Sequence, residues 1–154
     1  DEMGAQRVQA SSKILLGGRA SAPDEVSEFF GADPSVTHTH LRRLRLGDGE
    51  PYSIDDGWYN SAFVPNLLEN DIYNSVYAIL DSNFDLPITE ADQTVTAIAA
   101  DAEIAQLLDV EPGTPLLHII RKSRSGDRPV EWCSSVYRTD RYRLTTRVSR
   151  ALDS

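Results

Sequence analysis

At 154 residues the chain suits one domain with its own core, and 40% hydrophobic and 25% charged residues are ordinary for a globular protein. A formal charge of −9 with no Lys/Arg-rich block repels a phosphate backbone, so this polypeptide by itself is not expected to bind nucleic acid. No apolar run nears the roughly 20 residues of a membrane span, the polar start DEMGAQRVQASS does not read as a signal peptide, and the single Cys133 permits neither an internal disulfide nor a CxxC metal site; a cytoplasmic protein with a core thiol is expected.

Residues 1–10 carry no pattern and read as an extension or linker, leaving 11–154 as the domain. Ser11 to Leu16 is strand-like, and Gly17-Gly18 marks a bulge or bend. Ser21 as N-cap, Pro23 in the first turn and acidic Asp24 and Glu25 open a short helix. Its apolar face is Val26, Phe29 and Phe30, and Gly31 ends it. A strand over about 36–46 and another over about 52–59 flank the turn Gly47-Asp48-Gly49 as a hairpin. In the first arm Leu41, Arg43 and Arg45 face one way, and Arg42, Leu44 and Leu46 the other.

Residues 61–71 are irregular, with one helical turn near 65–68. A helix over about 75–82 follows, with apolar Val76, Ile79 and Leu80, then an exit loop over 83–87. Thr94 to Ala99 reads as a strand, and Asp101 caps a helix whose apolar face is Ile104, Leu107 and Leu108. Past the turn at Glu111-Pro112-Gly113 come strands over Pro115 to Ser123, Pro129 to Tyr137 and finally Arg141 to Val148.

A shift of 78 residues lays 24–59 on 102–137 without a gap. Glu25 falls on Glu103, Pro34 on Pro112, His40 on His118, Arg43 on Arg121, Pro51 on Pro129 and Tyr59 on Tyr137, and the two helix faces coincide. Each half is a short helix, a turn and a long hairpin, and two such units can merge into one antiparallel sheet with flanking helices, an α+β fold. Charged positions break the match: Arg45 falls on Ser123, Asp55 on Cys133 and Glu131 on Ser53. Such asymmetry suits a ligand site off the symmetry axis.

Two arginines on one strand face, Arg43 and Arg45, can grip a phosphate or carboxylate with forked hydrogen bonds, or can simply be a solvated sheet face. Asn74-Ser75-Val76-Tyr77 opens a helix, where free backbone N–H groups and the Ser75 hydroxyl attract anions and Tyr77 adds a phenolic hydroxyl; an ordinary cap is the alternative. Glu131, Cys133, Ser135 and Tyr137 share a strand face, where Glu131 can receive ligand hydroxyls or an ammonium, or can be a surface carboxylate. No catalytic or nucleotide-binding motif occurs. His40 and His118 occupy equivalent positions and read as strand packing, and His38 and His40 lack partners for a metal site. No cofactor is expected.

The run RRLRLGDGEP, then NSVYAIL, then LLDVEPGTPLLHIIRKS, then RPVEWCSSVYRTDRY, resembles the UTRA domain, the effector-binding domain of HutC-subfamily GntR transcription regulators, from about Ser12 to Arg150. The resemblance implies a chorismate lyase-like fold, a small-molecule effector, a homodimer, and operator DNA bound only through an N-terminal winged-helix domain that this chain does not contain. It assigns Arg43, Arg45, Ser75 and Tyr77 to the phosphate of a sugar or amino-sugar phosphate, and Asp55, Glu131 and Tyr137 to its polar body. Ser12, or alternatively Ser11, corresponds to a strand serine that serves in some members. Asp55 stands where the family often has a glutamate, and Gly57-Trp58-Tyr59-Asn60 replaces a more usual run ending in Leu-Pro. Carboxylates such as urocanate stay open as the effector. A chorismate lyase-like enzyme and a dimerisation module without a ligand are the competing readings.

Overall fold

The computed structural model describes residues 10–70 and 75–150. Its elements are β1 (Ala10–Ser21), α1 (Asp24–Phe30), β2 (Thr37–Gly47), β3 (Glu50–Tyr59), a 3-10 turn (Leu67–Glu69), α2 (Val76–Phe84), β4 (Glu90–Ala99), α3 (Ala102–Leu108), β5 (Pro115–Ser125) and β6 (Arg128–Arg138). The strands form one antiparallel sheet in the order β1-β2-β3-β6-β5-β4, with helices on both faces.

The duplication is written into the sheet. β3 and β6 meet at its centre, and Asp56 stands directly opposite Ser134, its own equivalent 78 residues on, so a pseudo-two-fold axis passes between them. The pairing Ser21↔Thr37 recurs as Ala99↔Pro115, and the hairpin irregularity between Arg45 and Leu46 recurs between Ser123 and Arg124. The repeat therefore reaches further than 24–59 on 102–137, because β1 and β4 are equivalent too. The first hairpin closes through Asp48 and Gly49, both at positive φ (52° and 78°), as a two-residue type I′ turn requires.

Equivalent helices pack on one face of the sheet. α1 sets Val26 and Phe30 against Trp58 and Trp132, and α3 sets Ala105 and Leu108 against Leu44, Ile54 and Val136. Among the described residues the other face receives one α-helix, α2, from the segment between the two units. Val76, Ile79 and Leu80 of α2 are buried on Leu41, Tyr59 and Val130, together with Val64 and Leu67 of the connecting loop. Each such side chain contributes about 1.5–3 kcal/mol. Because α2 has no counterpart on this face, one part of the sheet is left open beside it.

Four expectations need correction. The final strand does not form: Arg141 to Val148 has no regular structure, because β6 is already paired on both sides, with β3 and β5, and no adjacent sheet position remains. Val148 is 90% exposed, so no burial favours order there. Ser21 is the last residue of β1 rather than a cap; α1 opens at Pro23, which offers no side-chain cap, and the Pro23 carbonyl accepts from Val26 and Ser27 N–H. β1 runs straight through Gly17-Gly18, and its bulge lies at Leu15, between Ile14 and Leu16. Ala10 belongs to β1 and not to a leading extension, while the rest of that extension and Asn74 lie outside the described residues.

Candidate functional site

Beside α2 the open part of the sheet holds a cavity of about 510 Å³. All eight residues singled out in the sequence line it: Ser12 from β1, Arg43 and Arg45 from β2, Asp55 from β3, Ser75 and Tyr77 from the start of α2, and Glu131 and Tyr137 from β6. The alternation of β2 accounts for the arginines, since Leu41 on the same face lies under α2. Ser12 is there because of the bulge at Leu15. Below the bulge Ser12 pairs with Arg45; the unbroken register of β1 above it, Leu16↔Arg42, would have set Lys13 opposite Arg45.

At one end of the cavity two guanidinium groups share one carboxylate. Asp55 stands opposite Arg43 on β2 and Ser135 on β6. Its Oδ2 lies 3.3 Å from Arg43 Nη2 and 3.6 Å from Arg45 Nη1, while its Oδ1 accepts from Ser135 Oγ at 2.8 Å and Ser53 Oγ at 3.4 Å. Burial acts against the Arg45 charge, but the Asp55 carboxylate and neighbouring phenols outweigh it and raise the Arg45 pKa. The Arg45 guanidinium also lies 5.6 Å from the centre of the Tyr52 ring. Asp55 therefore orients the arginine pair here, and among the described residues no second carboxylate lies within 4.0 Å of either guanidinium.

Deeper in, Glu131 is 4% exposed and collects three hydroxyl donors. Tyr59, its partner across β3 and β6, donates from Oη to Oε2 at 2.9 Å. Tyr77 donates to Oε1 at 2.6 Å and Ser123 Oγ to the same oxygen at 3.1 Å. Burial raises the Glu131 pKa, and these donors pull it back part of the way. Burial and the Glu131 charge push both phenols up, Tyr59 and Tyr77 alike, so they remain donors. Gly57 makes room for this: a Cβ there would meet Tyr59 Oη at 2.9 Å.

At the start of α2 the hydroxyls that the resemblance assigns to the phosphate have partners within the chain. Ser75 Oγ accepts from Ala78 N–H at 3.3 Å as the helix cap, and the Tyr77 hydroxyl is spent on Glu131 and Ser123 rather than directed to the arginine end. Tyr137 stacks on Tyr142, ring centres 4.2 Å apart, and burial raises its pKa, with the Asp55 charge adding to that.

Further lining residues are Gln93, Arg121, Cys133, Ser135 and Tyr142. Two signals were available for some of them: Arg121 is the equivalent of Arg43, and Cys133 and Ser135 alternate with Glu131. Gln93 and Tyr142 carried none, because β4 and the segment after β6 reach the cavity only through tertiary pairing. The Cys133 thiol is pushed well up by burial and by the Glu131 and Asp55 charges, which keeps it protonated and unreactive. Its Sγ lies 3.5 Å from Ser135 Oγ. Among the described residues no His/Cys/Asp/Glu group could hold a metal.

The histidines face away from the cavity. His40 stacks on Trp58 at 4.0 Å and bonds to Asp56. His118 pairs with Ser134 at 2.7 Å, and buried His38 accepts from Ser61 N–H at 3.1 Å with an edge contact to Phe30.

A family profile described as the UTRA domain matches residues 5–143. The histidine utilization repressor of Pseudomonas aeruginosa is 34% identical over 150 residues, 97% of this chain and 59% of that protein. The repressor of the same description from Pseudomonas putida is 30% identical over 151 residues, 97% and 60%. The chain thus spans about 60% of the length of these relatives. Among solved structures, the ligand-binding domain of a GntR-family transcriptional regulator from Bordetella bronchiseptica superposes with a TM-score of 0.83 at 33% identity, covering 92% of this chain and 90% of that one.

Proposed function

The chain belongs to the UTRA domain family, and on that premise we propose that it is the effector-sensing domain of a transcription regulator and takes up a small anionic metabolite in the cavity beside α2. The observation that carries this reading is the arrangement of Arg43 and Arg45, adjacent on one strand face, aligned by a single carboxylate and open to a cavity of about 510 Å³. Two guanidinium groups over one carboxylate favour a phosphate or a carboxylate as the missing counter-charge. The carboxyl and phenol groups around the cavity, Asp55 beside the arginines, Glu131 deeper in and Tyr137, suit the hydroxyls or amine of a polar body. A sugar phosphate or amino-sugar phosphate fits this best. An unsaturated carboxylate such as urocanate is the second reading, favoured by the 30–34% identity to two histidine utilization repressors.

In the whole regulator the domain acts as a homodimer, with operator DNA bound only through a separate winged-helix domain. The formal charge of −9 supports assigning DNA contact elsewhere. The edge strand β4, exposed along most of its length, supports association with a second copy. An effector that binds one dimer arrangement better than the other shifts the population by that difference in affinity.

The test is a thermal-shift screen against sugar phosphates, amino-sugar phosphates and small carboxylates, urocanate included. At about 100 times its dissociation constant a bound effector adds roughly 2.7 kcal/mol of stability. Arg43→Ala and Arg45→Ala should each abolish the shift, and a hit that survives both places the ligand away from the arginine pair. Sedimentation of the chain with and without the hit reads the dimer directly.

A further inference from the structure

The two hairpins carry the same arginine and treat it differently. Arg43 and Arg121 are equivalent under the duplication, and both line the cavity. Each stands in register opposite equivalent positions: Arg43 faces Asp55, and Arg121 faces Cys133. Arg43 therefore meets a carboxylate oxygen at 3.3 Å, while the position opposite Arg121 holds a cysteine and offers no carboxylate. Among the described residues no carboxylate comes within 4.0 Å of the Arg121 guanidinium. Glu131 lies close enough to feel the Arg121 charge, but its oxygens are already engaged by Tyr59, Tyr77 and Ser123.

Arg121 is also held in place. Its Nε is buried without a hydrogen-bond partner, and its guanidinium carbon lies 5.4 Å from the centre of the Tyr77 ring. A ring contact fixes the plane of the guanidinium without cancelling its charge. A half-buried cation with an unmet donor is costly until an anion reaches it.

We propose that Arg121, with its register neighbour Gln93 on β4, forms a second anion subsite of this cavity, so that a sugar phosphate with a further anionic group at its other end, such as a phosphorylated sugar acid, is held better than one with a single anionic end. One group goes to Arg43 and Arg45, the other to Arg121. Their strands, β2 and β5, are three spacings apart, about 14 Å across the sheet at the backbone, and the long side chains bring the two heads closer. An effector with a single anionic end engages only one subsite. This inference deepens the reading of the cavity as an effector site and rests on it.

The test follows the arginine Nε–H resonances of the isotope-labelled chain during titration with inorganic phosphate, assigned with Arg43→Gln, Arg45→Gln and Arg121→Gln. The Arg121 resonance should move saturably, and should still do so in Arg43→Gln, where the first subsite is weakened. An Arg121 resonance that stays fixed while those of Arg43 and Arg45 move overturns the second subsite and leaves the effector reading standing; if none of the three moves, both are overturned. Calorimetry then compares glucarate, with a carboxylate at each end, and gluconate, with one. Glucarate should bind about tenfold tighter, a difference of about 1.4 kcal/mol, and Arg121→Gln should remove that advantage, bringing glucarate and gluconate to equal affinity. Equal affinities in the unsubstituted chain overturn the two-anion preference. Unmoved Arg43 and Arg45 resonances in the Arg121→Gln spectrum verify its fold.

Discussion

Tyr77 donates its hydroxyl to Glu131 across 2.6 Å, and that bond ties the first turn of α2 to the central strand β6. The helix that roofs the cavity is thereby fastened to the sheet by a buried carboxylate as well as by Val76, Ile79 and Leu80. Effector binding and helix position are coupled wherever a ligand competes for either group.

Tyr77→Phe removes a hydrogen bond to a buried acceptor while keeping the ring under Arg121. Bonds to charged groups are worth about 1.5–3 kcal/mol. The expected outcome is a loss of that size in urea unfolding, with the fold retained and the Glu131 pKa higher still.

Glu131→Gln should change the pH dependence of stability. The folded-state pKa of Glu131 is raised, chiefly by burial. Between the ordinary glutamate value and the raised one the folded state binds more protons than the unfolded state, so this group makes stability fall as pH rises through that window. The variant lacks that titration. Its stability relative to the parent should be highest near neutral pH and should decline as the pH is lowered toward 4.5. Denaturant melts across that range measure it, and a constant difference would count against the raised pKa.

Arg43→Ala and Arg45→Ala should separate in stability although both lose the effector. The Arg43 side chain is 13% exposed and lies nearer Asp55, and that of Arg45 is 27% exposed. Removing Arg43 leaves a buried carboxylate short of its closer partner, at about 1–3 kcal/mol. Removing Arg45 should cost less than about 1 kcal/mol, as for a partly solvated ion pair. Chemical denaturation of the two variants side by side tests the order.

Gly57→Ala probes the room left for Tyr59. A Cβ would stand 2.9 Å from Tyr59 Oη and 3.0 Å from Cε2, and the ring is 2% exposed with nowhere to move. Overpacking of this kind costs about 1–3 kcal/mol. A lower melting temperature is expected, together with a disturbed bond from Tyr59 to Glu131.

The local features were legible because their causes are local. Alternation along 41–46 put Arg43 and Arg45 on one face, the Asp48-Gly49 turn closed the hairpin, and Ser75 and Asp101 capped their helices through their own side chains. The duplication, read from equivalent residues, foretold a merged antiparallel sheet. The misreadings were of another kind. Nothing within 141–148 reveals that β6 has no free side, and nothing within 11–21 reveals that the register slips at Leu15 rather than at the glycines. Both depend on partners far away in the chain.

The cavity shows the same division. By itself the sequence determined which residues could face a ligand, because side-chain direction follows from the two-residue period of a strand and the capping pattern of a helix. Only the tertiary structure decided which charges meet. Asp55 went to the arginine pair, the Tyr77 hydroxyl to Glu131, and Arg121 to a position opposite Cys133 rather than a carboxylate, since those placements follow from the registers of β2 on β3 and β5 on β6 and from the docking of α2. Register is set by the packing of whole strands against one another, and no single stretch of the chain contains it.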